Sequence, residues 1–207
     1  MITNYDPSKV ITKSVIQGEL IENGFTVRQA KESVEFLFDT IREHILEGYT
    51  ICFTNLGKIK HTFKEGGRPV RNPKSNEGMA MDDTIALRFY QNGRGNSKNH
   101  VNKFDKKLNT SDLIDLVDTS IAIRNESVNG KTVVGTFISL MLEMKKHEGS
   151  RCEIRGLGSF TTRKRHSRIG RNPKTGESVS VDDKYEIYYK AGKFKEVVIE
   201  TLLKHYL

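Results

Sequence analysis

Apolar positions along this chain alternate between a period near 3.6 and a period of two, and the order in which they do so occurs twice. Val10, Ile11, Val15, Ile16, Leu20 and Ile21 trace a helical stripe from Lys9 to about Ile21, weakened by Gly18. Gly24 ends it. Thr26-Val27-Arg28-Gln29 then reads as a capping box, with Thr26 as N-cap, Gln29 reaching back and Phe25 placed as a staple. Ala30, Val34, Leu37, Phe38, Ile41 and Ile45 give the next helix one broad apolar face, and Gly48 supplies its stop after Glu47. Tyr49 to Phe63 predicts two strands around Asn55-Leu56-Gly57, and alternating Ile85, Leu87 and Phe89 predict a returning strand. The polar run Gln91 to Asn102 and the charged Lys103 to Lys107 read as a connector.

Beyond the connector the order repeats. Leu113, Ile114, Leu116, Val117 and Ile121 mark a helix, and Val133, Val134, Phe137, Ile138, Met141 and Met144 mark a second one that stops before Gly149. Strands follow over Arg151–Arg155 and Ser159–Arg163, around Gly156-Leu157-Gly158, and Tyr185, Ile187 and Tyr189 alternate in a later strand. One element lacks a counterpart in the first half: Phe194, Val197, Val198, Thr201 and Leu202 recur at i, i+3, i+4, i+7 and i+8, a terminal amphipathic helix.

The stretch skipped in each half is itself duplicated. Arg71-Asn72-Pro73-Lys74-Ser75 returns 100 positions later as Arg171-Asn172-Pro173-Lys174-Thr175, flanked by Arg68 and Arg168, Glu77 and Glu177, Asp82-Asp83 and Asp182-Asp183. Asn-Pro followed by Lys-Thr-Gly or Lys-Ser-Asn is turn chemistry, so each copy predicts a hairpin tip. A hairpin rich in Arg and Lys with few apolar residues cannot bury itself; it must project. A period of this length fits a duplicated domain rather than a solenoid.

Charge sharpens the picture. The chain carries +8, and residues 101–207 hold 20 Lys+Arg against 14 Asp+Glu, whereas residues 1–100 hold 14 against 12. The first arm and its base (Lys58–Met81) carry six Lys/Arg against two Glu. The second (Ser159–Val181) carries six against one Glu, plus His166. A polyanionic partner is expected. No stretch approaches the roughly 18 apolar residues of a membrane span, and no signal-peptide pattern opens the chain. Cys52 and Cys152 have no Cys or His at metal-ligand spacing and read as small buried hydrophobes; neither a metal nor another cofactor is expected. Asp82-Asp83 and Asp182-Asp183 are the one hint of a metal-dependent nuclease. Neighbours on a strand point to opposite faces, so neither pair converges on one ion, and they read instead as strand-ending, edge-charging residues. An RNA-binding or protein-interaction module with basic hairpins is a second alternative. The arms hold no aromatic between Phe63 and Phe89 or between Phe160 and Tyr185 on which single-stranded bases could stack, which favours a duplex.

Three motifs carry a resemblance: Gly156-Leu157-Gly158-Ser159-Phe160, Gly170-Arg171-Asn172-Pro173-Lys174-Thr175-Gly176-Glu177, and Lys190-Ala191-Gly192-Lys193. With them, the second half (Asn109 to Leu203) resembles the bacterial histone-like HU and integration host factor family. The first half (Lys9 to Arg94) is similar more loosely. It keeps Leu56-Gly57 and Arg71-Asn72-Pro73-Lys74, replaces Gly170 and Gly176 by Val70 and Asn76, and has an extra residue around Gly66-Gly67.

The resemblance implies an α+β fold of two units, residues 1–90 and 109–207, joined by a connector at 91–108, the first unit having its final helix absent or reduced. It further implies an intramolecular intertwined pseudo-dimer with two protruding β-arms, leaving further self-association open. The expected activity is architectural and not enzymatic: gripping the minor groove of double-stranded DNA and bending it with little sequence specificity. The setting would be cytoplasmic and nucleoid-associated, or viral-genome-associated in an infected cell. Pro73 and Pro173 match the intercalating wedge. Arg71 and Arg171 match minor-groove insertion. Arg68, Asn72, Lys74, Arg163, Lys164, Arg165, Arg168, Asn172 and Lys174 complete the arm contacts. Lys58, Lys60, Lys64, Lys190 and Lys193 would line the saddle and flanks, with Arg94 a weak counterpart in the connector.

Overall fold

The computed structural model describes residues 5–67, 69–71, 74–92, 106–122 and 129–206. The first unit runs α1 (Lys13–Glu22), α2 (Val27–Leu46), β1 (Thr50–Phe53), β2 (Gly57–Lys64), β3 (Pro69–Arg71), β4 (Gly78–Ala80) and β5 (Thr84–Gln91). After β6 (Lys107–Leu108) the second unit repeats the order as α3 (Thr110–Ala122), α4 (Gly130–Met144), β7 (Arg151–Ile154), β8 (Gly158–Arg165), β9 (Arg168–Arg171), β10 (Ser178–Val181) and β11 (Lys184–Lys190). It adds α5 (Phe194–Tyr206).

The helices form where their ends and faces dictate. At α2 the capping box closes in both directions: Gln29 N–H donates to Thr26 Oγ1 at 3.2 Å and Thr26 N–H to Gln29 Oε1 at 2.9 Å. The predicted face, Ala30 through Ile45, is buried. In α5, Phe194, Val198 and Leu202 are buried against β5 and α2 of the first unit.

The start of α1 differs from the expectation. The helix begins at Lys13, because Ile11 is taken by a sheet instead. Its N–H donates to Arg151 O at 2.9 Å and its carbonyl accepts Glu153 N–H at 2.8 Å, a parallel bridge to Cys152 with the Ile11 side chain buried. Two backbone bonds plus a buried isoleucine outweigh another helical turn. The arrangement is reciprocal. Lys107–Leu108, at the end of the expected connector, forms β6 and adds in parallel to β1 (Thr50↔Lys107, Ile51↔Leu108). The segment preceding the first helix of each unit thus joins the other unit's sheet. The sheets are β5-β2-β1-β6 and β11-β8-β7.

One hydrophobic cluster serves both units, containing Ile16, Leu37 and Ile41 together with Val133, Phe137, Met141 and Phe160. Edge-to-face pairs cross between them: Phe38 on Phe137 at 5.1 Å and Phe89 on Phe160 at 5.7 Å. Cys152 is buried in this core, opposite Phe160. Cys52 is not its equivalent. Ile51 and Phe53 take the inward positions of β1, leaving Cys52 half-buried opposite Lys58; the expectation of two buried cysteines holds for Cys152 alone. The expected loss of the first unit's final helix falls within 93–105, outside the described residues, as does Arg94.

Candidate nucleic-acid interface

Period-two alternation divides the sheet residues between two faces. In the first unit Ile59, His61, Phe63, Ile85, Leu87 and Phe89 are buried. The register places Lys58↔Tyr90 and Lys60↔Arg88 on the opposite face and ends the ladder at the backbone pair Lys64↔Thr84. In the second unit Phe160, Thr162 and Ile187 face the core, and Lys184↔Arg165, Glu186↔Arg163 and Lys190↔Ser159 lie on the other face. Each sheet therefore presents a basic outer face.

Two cations on these faces, Arg88 and Lys184, were not singled out in the sequence. The signal was present: with Ile85, Leu87 and Phe89 inward, Arg88 must face outward, and the register sets it beside Lys60. On the second face Arg163 stacks over the Tyr188 ring, 4.9 Å from its centroid. Glu186, only 3% exposed, accepts from Arg165 at 3.2 Å and from Lys184 at 3.0 Å. Lys164 lies on the reverse face, paired across with Tyr185, where its ammonium meets Asp183 at 2.7 Å.

The arms continue from these sheets as separate two-stranded ladders, β3-β4 and β9-β10. In the second, Arg168↔Val181 and Gly170↔Val179 share one face and Ile169↔Ser180 and Arg171↔Ser178 the other. Arg168 and Arg171 are thus exposed on opposite faces of the ribbon. At its tip, Gly176 N–H donates to Asn172 O at 2.8 Å and Asn172 N–H to Glu177 O at 2.9 Å. Asn172 Oδ1 accepts Lys174 N–H at 3.0 Å, so the asparagine shapes the turn. Arg171 Nε donates to Gly176 O at 2.8 Å. Pro173 and Lys174 stand exposed at the apex.

The first arm has the extra residue expected from its sequence. Between the pairs Lys64↔Thr84 and Pro69↔Ala80 the outgoing strand advances five positions and the returning strand four; the corresponding step in the second arm, Arg165↔Lys184 to Ile169↔Ser180, is four and four. Replacement of Gly176 by Asn76 preserves the turn. Asn76 has φ +58° against +75° for Gly176, and asparagine is among the few residues that tolerate this left-handed region. Arg71 and Lys74 are exposed; Arg68, Asn72 and Pro73 lie outside the described residues.

Lys190 and Lys193 are exposed and, with Lys13 and Arg155, line an open groove of about 940 Å³ where α1 and α5 begin. Thr12, the N-cap of α1, makes no side-chain capping bond, and helix starts carry partial positive charge. Glu35 and Glu153 also line this groove. Among the described residues no group of three or more His, Cys, Asp or Glu could hold a metal ion, and no helix is long and apolar enough to cross a membrane.

Known proteins match both halves. The model of the family described as bacterial DNA-binding protein matches residues 11–92 and again residues 108–198. Integration host factor subunit beta of Actinobacillus pleuropneumoniae is 46% identical over 88 residues, 42% of this chain and 90% of that protein. The subunit beta of Chromobacterium violaceum is 42% identical over 101 residues, 47% of this chain and 96% of its own. Among solved structures, Anabaena HU in a cocrystal with DNA is 27% identical, with a TM-score of 0.31, covering 43% of this chain and 94% of that one. Matched twice over most of its length, the chain belongs to the bacterial DNA-binding protein family.

Proposed function

We propose that this protein is an architectural double-stranded-DNA-binding protein that grips the minor groove with its two arms and bends the duplex. The observation that carries the reading is the pairing of two exposed basic ribbons with two basic sheet faces in one chain. In this reading residues 1–90 and 109–207 act as the two halves of an intramolecular pseudo-dimer joined through 91–108. The shared core and the reciprocal strands at Ile11 and Lys107–Leu108 support it.

A ribbon in the minor groove meets a degenerate base pattern, so sequence reading is weak. Arg71 and Arg171 enter the groove while Arg68, Arg168, Lys74 and Lys174 hold the backbone, a division that suits the opposite faces of Arg168 and Arg171. Pro73 and Pro173 wedge between base pairs and kink the duplex. Lys58, Lys60, Lys64, Arg163 and Arg165 contact phosphates on the saddle, and Lys190 and Lys193 hold the flanks; Arg88 and Lys184 join the saddle set. Asn72 and Asn172 shape the tips. The work is binding rather than catalysis, carried out on the genome in the cytoplasm.

End-to-end energy transfer on a short labelled duplex tests this. Wild type is expected to shorten the end-to-end distance, and the Pro73→Ala/Pro173→Ala protein to bind with a smaller bend. An unchanged bend would remove the wedge and leave the electrostatic grip. If roughly 6–10 phosphates are neutralised, affinity falls by about 10³- to 10⁵-fold between 50 and 200 mM salt. Equal binding of duplex, single strands and RNA in a gel shift would sink the duplex reading.

A further inference from the structure

The paired aspartates that end each arm find their use at the arm bases. Each sheet ladder stops before its arm ladder starts. In the second unit β8-β11 ends at Arg165↔Lys184 and β9-β10 begins at Arg168↔Val181. Asp183 spans this break: one carboxylate oxygen accepts the Ser167 N–H and the other meets Lys164 Nζ at 2.7 Å. In the first unit the break lies between Lys64↔Thr84 and Pro69↔Ala80, and Asp83 Oδ1 accepts the Gly66 N–H at 2.6 Å. Gly67 N–H adds a bond to Met81 O at 2.8 Å. A side chain at Gly66 would lie 2.6 Å from Met81 O, so the two strands cross in close contact here. Asp82 and Asp182 stay exposed.

We propose that Asp83 and Asp183 are positioning residues that fix the angle at which each arm leaves its sheet, and so the spacing of the two arms across a duplex. The backbone N–H groups of Gly66 and Ser167 have no ladder partner at the break, and a carboxylate from the opposite strand supplies one. This clasp is the only side-chain bond across each junction that is common to both arms among the described residues. The clasps are unequal. Lys164 faces Tyr185 as Phe63 faces Ile85, so the first unit has a buried phenylalanine where the second has the lysine, and the second clasp alone gains an ion pair. In keeping with this, Lys164 and the Ser167 N–H hold the Asp183 carboxyl below its ordinary range. Lys164 is thereby a component of the arm base rather than a phosphate contact.

The clasp can be measured without DNA, while its consequence for bending rests on the reading given above. Spin labels at Ser75→Cys and Thr175→Cys, in a full-length Cys52→Ser background, report the distance between arm tips in the free protein. Asp83→Ala/Asp183→Ala is expected to broaden and shift this distribution without altering the far-ultraviolet dichroism. Asp82→Ala/Asp182→Ala removes the same charge from the neighbouring positions and is expected to change nothing. Asp83→Asn keeps an oxygen for Gly66 and should restore the first arm; Asp183→Asn, lacking the ion pair, should restore the second only in part. Identical distributions for wild type and Asp83→Ala/Asp183→Ala, or equal broadening from the neighbouring pair, would overturn the proposal. On a labelled duplex the alanine pair should bend less. Its affinity should stay within roughly fivefold of wild type, the range of one exposed ion pair. Were wild type not to bind duplex at all, the DNA reading would fall and the distance measurement would still decide the clasp.

Discussion

His61 lies in β2 opposite Leu87 with 1% of its surface exposed, and burial lowers its pKa from 6.5 to about 4 despite a backbone hydrogen bond at Ile45. The sign follows from proton counting. Between pH 6.5 and 4 the unfolded chain holds the extra proton, so stability is complete above pH 6.5 and is lost as the pH falls towards 4. The full loss is about 3 kcal/mol. In urea unfolding across this range wild type should lose stability relative to His61→Leu as the pH falls; parallel profiles would mean that the ring takes up its proton equally in the folded and unfolded chains. The placement of this histidine was legible in the sequence. It sits at an inward position between Ile59 and Phe63, and that alternation was enough to place it in the core. Arg88 was legible by the same rule. The role of Asp183 was not, because a side-chain-to-backbone bond across a ladder break depends on register, which the residue pattern of one strand does not specify.

At the scale of elements, local signals that complete themselves were read correctly. The Thr26–Gln29 box needs only four consecutive residues, and Thr26→Ala should destabilise the protein by about 1 kcal/mol in denaturant unfolding. The tip of the second arm is similarly self-contained. Gly176→Ala forces a φ of +75° on a residue with a β-carbon, so its arm should show faster amide exchange while α2 stays protected. Signals that need a distant partner were missed. Val10 and Ile11 continue the helical spacing of α1, and nothing nearby says that the strand of Cys152 will claim Ile11. The two cysteines show the same limit: 100 positions apart, they are matched in sequence yet differ in facing, since the strands correspond at an offset of 101 (Ile51↔Ile59 beside Cys152↔Phe160).

Across the whole molecule, the duplication was legible because it repeats chemistry, whereas the union of the halves depends on contacts such as Phe38–Phe137 that neither half contains. A shared core predicts shared melting. Phe137→Ala, which removes a ring touching both Phe38 and Phe53, should cost about 3–5 kcal/mol and lower one calorimetric transition; two separated transitions would show that the units fold independently. The reciprocal lodging of Ile11 and Lys107–Leu108 has a further result for behaviour at scarcity. Two separate chains part when diluted below their dissociation constant, and a binding curve measured there bends with the square of concentration. Here the partner belongs to the same chain, which keeps its effective concentration on the order of millimolar. Titrations should therefore stay hyperbolic down to a few molecules per cell volume, each molecule arriving at its target with both arms already in place.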